Sequence, residues 1–184
     1  NIVIDLNGYT ITYNQTIPGE GVTIGAWNKG NISVRNGSII QGAAMSEGQV
    51  YGLGNSPVGT YNTIAGGSIT AAGLHVANLY VRYGGRDVGG VVIDGTGGLF
   101  EQLTTEDLYE FGTLKNRSAG TAAITGSASG TRYSNNIYRN NTIIAARHRG
   151  IRTGDNSETY GNRIELRSIA SNAAGVYEYQ GTGN

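Results

Sequence analysis

Asn31-Ile32-Ser33-Val34-Arg35-Asn36-Gly37-Ser38-Ile39 returns in altered form as Asn135-Asn136-Ile137-Tyr138-Arg139-Asn140-Asn141-Thr142-Ile143. Further copies read at Ile4-Asp5-Leu6-Asn7-Gly8-Tyr9-Thr10-Ile11, at Asn78-Leu79-Tyr80-Val81-Arg82-Tyr83-Gly84 and, more weakly, from Asn162 to Ile169. Around each Asn, apolar and polar residues alternate, which is the pattern of a half-buried strand. Asn and Gly between the runs tolerate left-handed backbone angles and so permit sharp turns. A second element, Gly followed by an aliphatic residue and a short alternating run, opens at Gly21, Gly73, Gly150 and Gly175. Short strands recurring with no helix between them stack each strand on its counterpart one repeat later. Inward Ile, Leu and Val then form aliphatic stacks, and Asn at the turns forms ladders.

Composition agrees. Gly is 31 of 184 residues, and Pro is only 2, as expected where nearly every backbone N–H is needed by a neighbouring strand. Net charge is zero and charged residues are 14%, which argues against a nucleic-acid partner. Apolar runs are too short for a membrane-spanning helix. Without Cys there is no disulfide framework, no CxxC zinc site and no thiol chemistry. The chain opens at Asn1 without an initiator Met, which reads as a processed product or a fragment.

The Asp5–Ile11 and Ile32–Ile39 segments resemble right-handed parallel β-helix proteins of the pectate-lyase-like superfamily, and residues 122–184 resemble the Asn-rich repeats of such proteins. The resemblance implies an all-β fold, a right-handed parallel β-helix, with residues 1–184 forming one domain or part of a longer one. At about 25 residues per turn and about 4.8 Å per stacked strand, the chain makes about seven coils. One stretch breaks the rhythm, an excursion over residues 96–120. Within it, Leu103 to Gly112 reads as a short helix, with Thr104 as N-cap, Leu103 and Leu108 as a staple, and Gly112 as the stop. Another loop is expected between Gly42 and Gly67. Neither end shows a capping helix, so the ends are expected to stack on further coils or on other copies.

Seven Arg against three acidic residues lie between Arg132 and Arg167. Arg suits bidentate contact with carboxylates and sulfates. Related lyases use a cationic group to neutralise a uronate carboxylate and a basic residue to take the C5 proton. By that resemblance, Arg147, His148, Arg149 and Arg152 form the candidate catalytic set, with His148 able to exchange protons near neutral pH. The alternative is that these Arg form ladders paired with Asp155 or Glu165. Arg139, Tyr138, Tyr177 and Tyr179 are candidate substrate-binding residues, Tyr offering a ring to a sugar or simply packing half-buried. Asp155 and Glu158 in an oxygen-rich turn are candidate calcium ligands, though the same residues suit an ordinary turn. Arg82, Arg86, Asp87 and Asp94 form a second charged group, but the paired aspartates and Gly-His-Gly of the hydrolase branch are missing.

The expected function is an extracellular or cell-surface, carbohydrate-directed protein, with a lyase or epimerase acting on acidic polysaccharide as the enzymatic form. Two alternatives stand beside it: a non-catalytic glycan-binding part of a tailspike or adhesin, and a structural protein stacking end to end. No cofactor beyond calcium is implied.

Overall fold

Every strand pairing among the described residues is parallel. A computed structural model describes residues 1–13, 22–24, 30–42, 58–60, 71–83, 90–92, 95–107, 122–125, 135–146, 148–167 and 173–178. Among them there is no helix. The first and largest sheet has ten strands. They are β1 (Ile2–Asp5), β2 (Thr10–Tyr13), β4 (Ile32–Gln41), β7 (His75–Tyr83), β10 (Leu99–Glu101), β11 (Thr104–Asp107), β13 (Ile137–Arg139), β14 (Thr142–Ala146), β16 (Glu158–Tyr160) and β17 (Arg163–Leu166). The second sheet has six: β3 (Val22–Ile24), β5 (Val58–Thr60), β8 (Val91–Val92), β12 (Ala122–Thr125), β15 (Arg149–Thr153) and β18 (Ala174–Glu178). A small third sheet pairs β6 (Ala71–Ala72) with β9 (Gly95–Thr96).

The order is regular. Among the described residues, six successive passes cross the first sheet and then the second, each laid beside the one before it. Parallel neighbours require such crossovers, because a hairpin joins only antiparallel strands.

Register brings like residues into columns. Ile4, Val34, Val76, Phe100, Tyr138 and Thr159 align across the first half of each pass. Ile11, Ile39, Val81, Thr105, Ile143 and Ile164 align across the second half. The middle members of both columns are buried, whereas Ile4, Ile11 and Ile164 on the outer passes are half-buried. In the second sheet, Val91, Ile124 and Ile151 continue the core.

Two corners bend each pass, and both rest on left-handed residues. Asn31, Gly73, Gly97, Asn135 and Asn156 have positive φ at the first corner. Asn36, Asn78, Gln102, Asn140 and Gly161 do so at the second, each five residues after its partner. Asn adopts this conformation more readily than other non-Gly residues, which explains its abundance. The first pass departs from the rule. Its corner is a four-residue turn, Leu6 to Tyr9, closed by the Tyr9 N–H donating to the Leu6 carbonyl at 2.8 Å. Leu6 then lies over Gly37, where a Cβ would come within 2.5 Å of it.

Behind the corners, buried amides satisfy the backbone. The Asn136 side chain accepts from the Gly98 N–H at 2.8 Å and donates to the Gly95 carbonyl at 2.9 Å. Asn141 accepts from the Leu103 N–H at 3.0 Å and donates to the Phe100 carbonyl at 3.1 Å. Asn162 repeats the device, donating to the Tyr138 carbonyl at 2.9 Å.

The expected helix from Leu103 is not formed over the residues described. Thr104–Asp107 is β11, paired in register with β7 and β14, while 108–121 lie outside the described residues. Ladder bonds to a strand on each side outweigh a local capping signal, and Thr105 and Asp107 alternate inward as a strand requires. The expected excursion therefore does not begin at residue 96: β9, β10 and β11 make 95–107 a regular part of the stack. Most of the loop expected from Gly42 to Gly67 lies outside the described residues, and Val58–Thr60 within it is β5.

Candidate functional site

The outward face of the first sheet carries the polar chemistry. Asp5, Arg35, Ala77, Glu101, Arg139 and Tyr160 form one outward column. Arg35 Nε donates to Asp5 Oδ2 at 2.9 Å. Glu101 stands between two partners: Oε1 is 2.8 Å from His75 Nε2, and Oε2 accepts from Arg139 Nε at 2.8 Å and lies 2.6 Å from its NH2. Beyond the second corner, the Tyr80 hydroxyl donates to Glu106, and Arg82 Nε is 3.7 Å from the same carboxylate.

These contacts move the titrations. The His75 hydrogen bond, joined by the Arg139 guanidinium, holds the Glu101 carboxyl below its ordinary range against the opposing effect of burial. The Asp5 carboxyl is likewise lowered, first by the Asn7 backbone N–H and then by the Asn36 amide. Burial, with the Glu106 contact, pushes the Tyr80 phenol up to about 12, so it remains a donor at neutral pH. Burial raises Tyr13 as well.

A carboxyl depressed in the fold stabilises it above the pH at which the unfolded group titrates, near 4.5, and that contribution is lost as pH falls through the lower folded value. Glu101→Gln is therefore expected to flatten the acid limb of stability against pH below about pH 4.5 while leaving its shape near neutrality unchanged. Urea titrations at successive pH values read this, and an unaltered acid limb would contradict it.

A groove of about 380 Å³ opens beside this column, along the second corner. One wall is the amide series Asn36, Asn78 and Gln102, and the other is the hydroxyl series Ser38, Tyr80 and Thr104. Asn78 Nδ2 donates to Asn36 Oδ1 at 3.0 Å, and Asn36 Nδ2 donates to both Asp5 oxygens at 3.2 and 3.1 Å. Each amide follows from the left-handed corner it occupies, and each hydroxyl from the outward position two residues on.

The residues singled out from sequence are dispersed. His148, Arg149 and Arg152 are only 2%, 7% and 5% exposed. They lie at and on β15, which is buried along its whole length, so both faces of the strand are covered. Arg149 stacks over the Tyr177 ring, 3.8 Å from Arg149 Cζ to the ring centroid. Charge density in the sequence suggested an exposed basic face; Arg149 is instead packed against an aromatic ring and Arg152 is buried, while Arg139, Arg163 and Arg167 of the same stretch face outward. Arg147 and Tyr179 lie outside the described residues, as do Arg86, Asp87 and Asp94. Tyr138 does not face a ligand: it is fully buried and stacks on Phe100, with centroids 4.9 Å apart. Arg139 is on the outward face, tied to Glu101. Asp155 begins the corner before β16, its carbonyl accepting from the Asn135 N–H at 3.0 Å, and Glu158 is exposed on β16. No group of three or more His, Cys, Asp or Glu side chains among the described residues is placed to hold a metal ion.

The groove residues were not singled out from sequence. The five-residue step of the corners was the available signal: read along the chain, it pairs Asn36 with Ser38, Asn78 with Tyr80, and Gln102 with Thr104. Among the described residues no helix is long and apolar enough to cross a membrane. Comparison of the chain with protein-family models, curated proteins and solved structures finds no match.

Proposed function

We propose that the chain winds as a right-handed parallel β-helix, as in the pectate-lyase-like superfamily, and that its outward face binds carbohydrate outside the cell or at its surface. The hand is supported by the near-universal right-handedness of parallel crossovers, and the winding by the recurrence of first-sheet and then second-sheet strands in each described pass, with a third sheet, β6 and β9, following the second in two of them. The observation that carries the binding reading is the groove, whose amides and hydroxyls repeat from pass to pass. Such groups are the partners sugar hydroxyls use, and a repeating ligand suits a repeating surface. A binding module fits better than a lyase, because His148, Arg149 and Arg152 are enclosed around β15 and the described carboxylates Glu101 and Glu106 are held in ion pairs.

A second reading, association of copies through outermost strands, is favoured by the exposure of Ile2 (56%), Val3 (57%) and Val176 (47%). Native electrophoresis with polysaccharides cast into the gel separates the two. Retardation in at least one polysaccharide gel, from a single band in the blank gel, is the expected result. A ladder of multiples in the blank gel without retardation would replace the carbohydrate reading with self-association.

A further inference from the structure

We infer that the groove takes an uncharged, extended glycan lying along the stacking direction, one sugar per pass, over the three passes that carry Asn36/Ser38, Asn78/Tyr80 and Gln102/Thr104. This rests on the carbohydrate reading above and specifies the ligand class and its direction.

Spacing is the first ground. Parallel strands stand about 4.8 Å apart, close to the length of one pyranose ring measured between its linking oxygens in an extended, equatorially linked chain. Register makes the repeat strict: Ser38 aligns with Tyr80, and Tyr80 with Thr104. Successive sugars of such a chain would each lie beside one amide and one hydroxyl, alternate rings offering opposite edges to the two walls. A glycan lying across the strands would meet a different set at each ring.

Charge is the second ground. The lining carries no ionised side chain, and behind it stand carboxylates. Asp5 accepts from Asn36, and Glu106 accepts from Tyr80. A uronate in the groove would face these two carboxylates across a single hydrogen-bonded group. Four cations of the outward face are committed elsewhere, Arg35 to Asp5, Arg82 to Glu106, Arg139 to Glu101 and Arg167 to Glu165, and the exposed Arg163 stands two strands beyond Thr104, outside the groove lining. Because the Tyr80 O–H donates to Glu106, Tyr80 Oη faces the groove as a strengthened acceptor, which suits the O–H donors of a neutral sugar. The acidic polysaccharide expected from the Arg-rich sequence is thus disfavoured at this site.

Titration calorimetry with cello-oligosaccharides of one to six units, beside oligogalacturonates of the same lengths, tests both grounds. Affinity for the neutral series is expected to rise with length to three units, then level off, and to change less than twofold between low and moderate salt. Gln102→Gly keeps the left-handed corner while removing an amide, and is expected to weaken the trimer at least fivefold with an unchanged melting temperature. Tyr80→Ala is expected to weaken it at least tenfold. Binding of oligogalacturonates alone, weakened by salt, would overturn this inference while leaving the carbohydrate reading intact. Neutral binding with no length dependence, or unaffected by both variants, would overturn the placement along the stack. Failure of both series, together with no retardation in any polysaccharide gel, would remove the carbohydrate reading itself.

Discussion

Phe100→Ala is expected to cost about 3–5 kcal/mol of folding stability, the range for removing a buried aromatic side chain. Phe100 and Tyr138 are 1% and 0% exposed, with ring planes inclined by only 11°. They sit in the column between Val76 and Thr159, so a truncated Phe100 leaves a void bounded by a small aliphatic side chain and a neighbouring ring. The flanking strands are fixed by ladder bonds and have little freedom to collapse into it. At about 2–4 °C per kcal/mol for a chain of this size, the melting temperature should fall by roughly 6–20 °C. Phe100→Leu should cost clearly less. Combining Phe100→Leu with Tyr138→Leu should reveal a coupling of about 0.5–1.5 kcal/mol between the rings. Denaturant melts of these variants supply the numbers, and a loss under about 1 kcal/mol for Phe100→Ala would mean that the ring is not in the core.

Asn141→Leu should be nearly as damaging, for a different reason. The position itself accepts leucine, since Leu79 and Leu103 occupy it in the preceding passes. What is lost is hydrogen bonding. The Leu103 N–H loses its acceptor and the Phe100 carbonyl its donor, both in a buried setting, and Asn162 loses a neighbour at 2.9 Å. Each orphaned buried group costs about 1–3 kcal/mol, giving about 2–6 kcal/mol together. The Leu103 amide should also exchange with solvent faster than its neighbours on β11. If stability and exchange match the parent chain, water or another group is satisfying the backbone there, and the ladder is dispensable.

Strand content and parallel stacking were legible because alternation and Asn turns are local signals that survive in a single sequence. The pass containing β10 and β11 was misread because Gly97 and Gln102 stand where other passes have Asn, so the repeat disappears by composition while the left-handed conformations persist. Thr104, Glu106 and the flanking leucines imitate a capped helix, and only neighbours distant in sequence, on β7 and β14, decide against it. For Tyr138, open in the sequence between a sugar-facing ring and half-buried packing, the alternation that makes Arg139 outward decides for the inward position. Around β15 the error was of another kind. Nothing local distinguishes an Arg lying over Tyr177 from one reaching into solvent, because the partner comes from β18, a full pass further along the chain. The groove was legible in principle from the spacing of its corners, but its walls meet only when three passes are stacked.

Chain length between successive first corners varies widely, 42 residues from Asn31 to Gly73, 24 to Gly97, 38 to Asn135 and 21 to Asn156, yet the five-residue step to the second corner never changes. The outward face is thus insulated from insertions and deletions elsewhere in each pass. Segments of foreign sequence spliced between β11 and β12 are expected to leave every rung of the Asn36–Asn78–Gln102 wall in place. The architecture separates a fixed ruler from free cargo, so new appendages could be acquired by a lineage, or grafted by an engineer, with the outward wall left as it was.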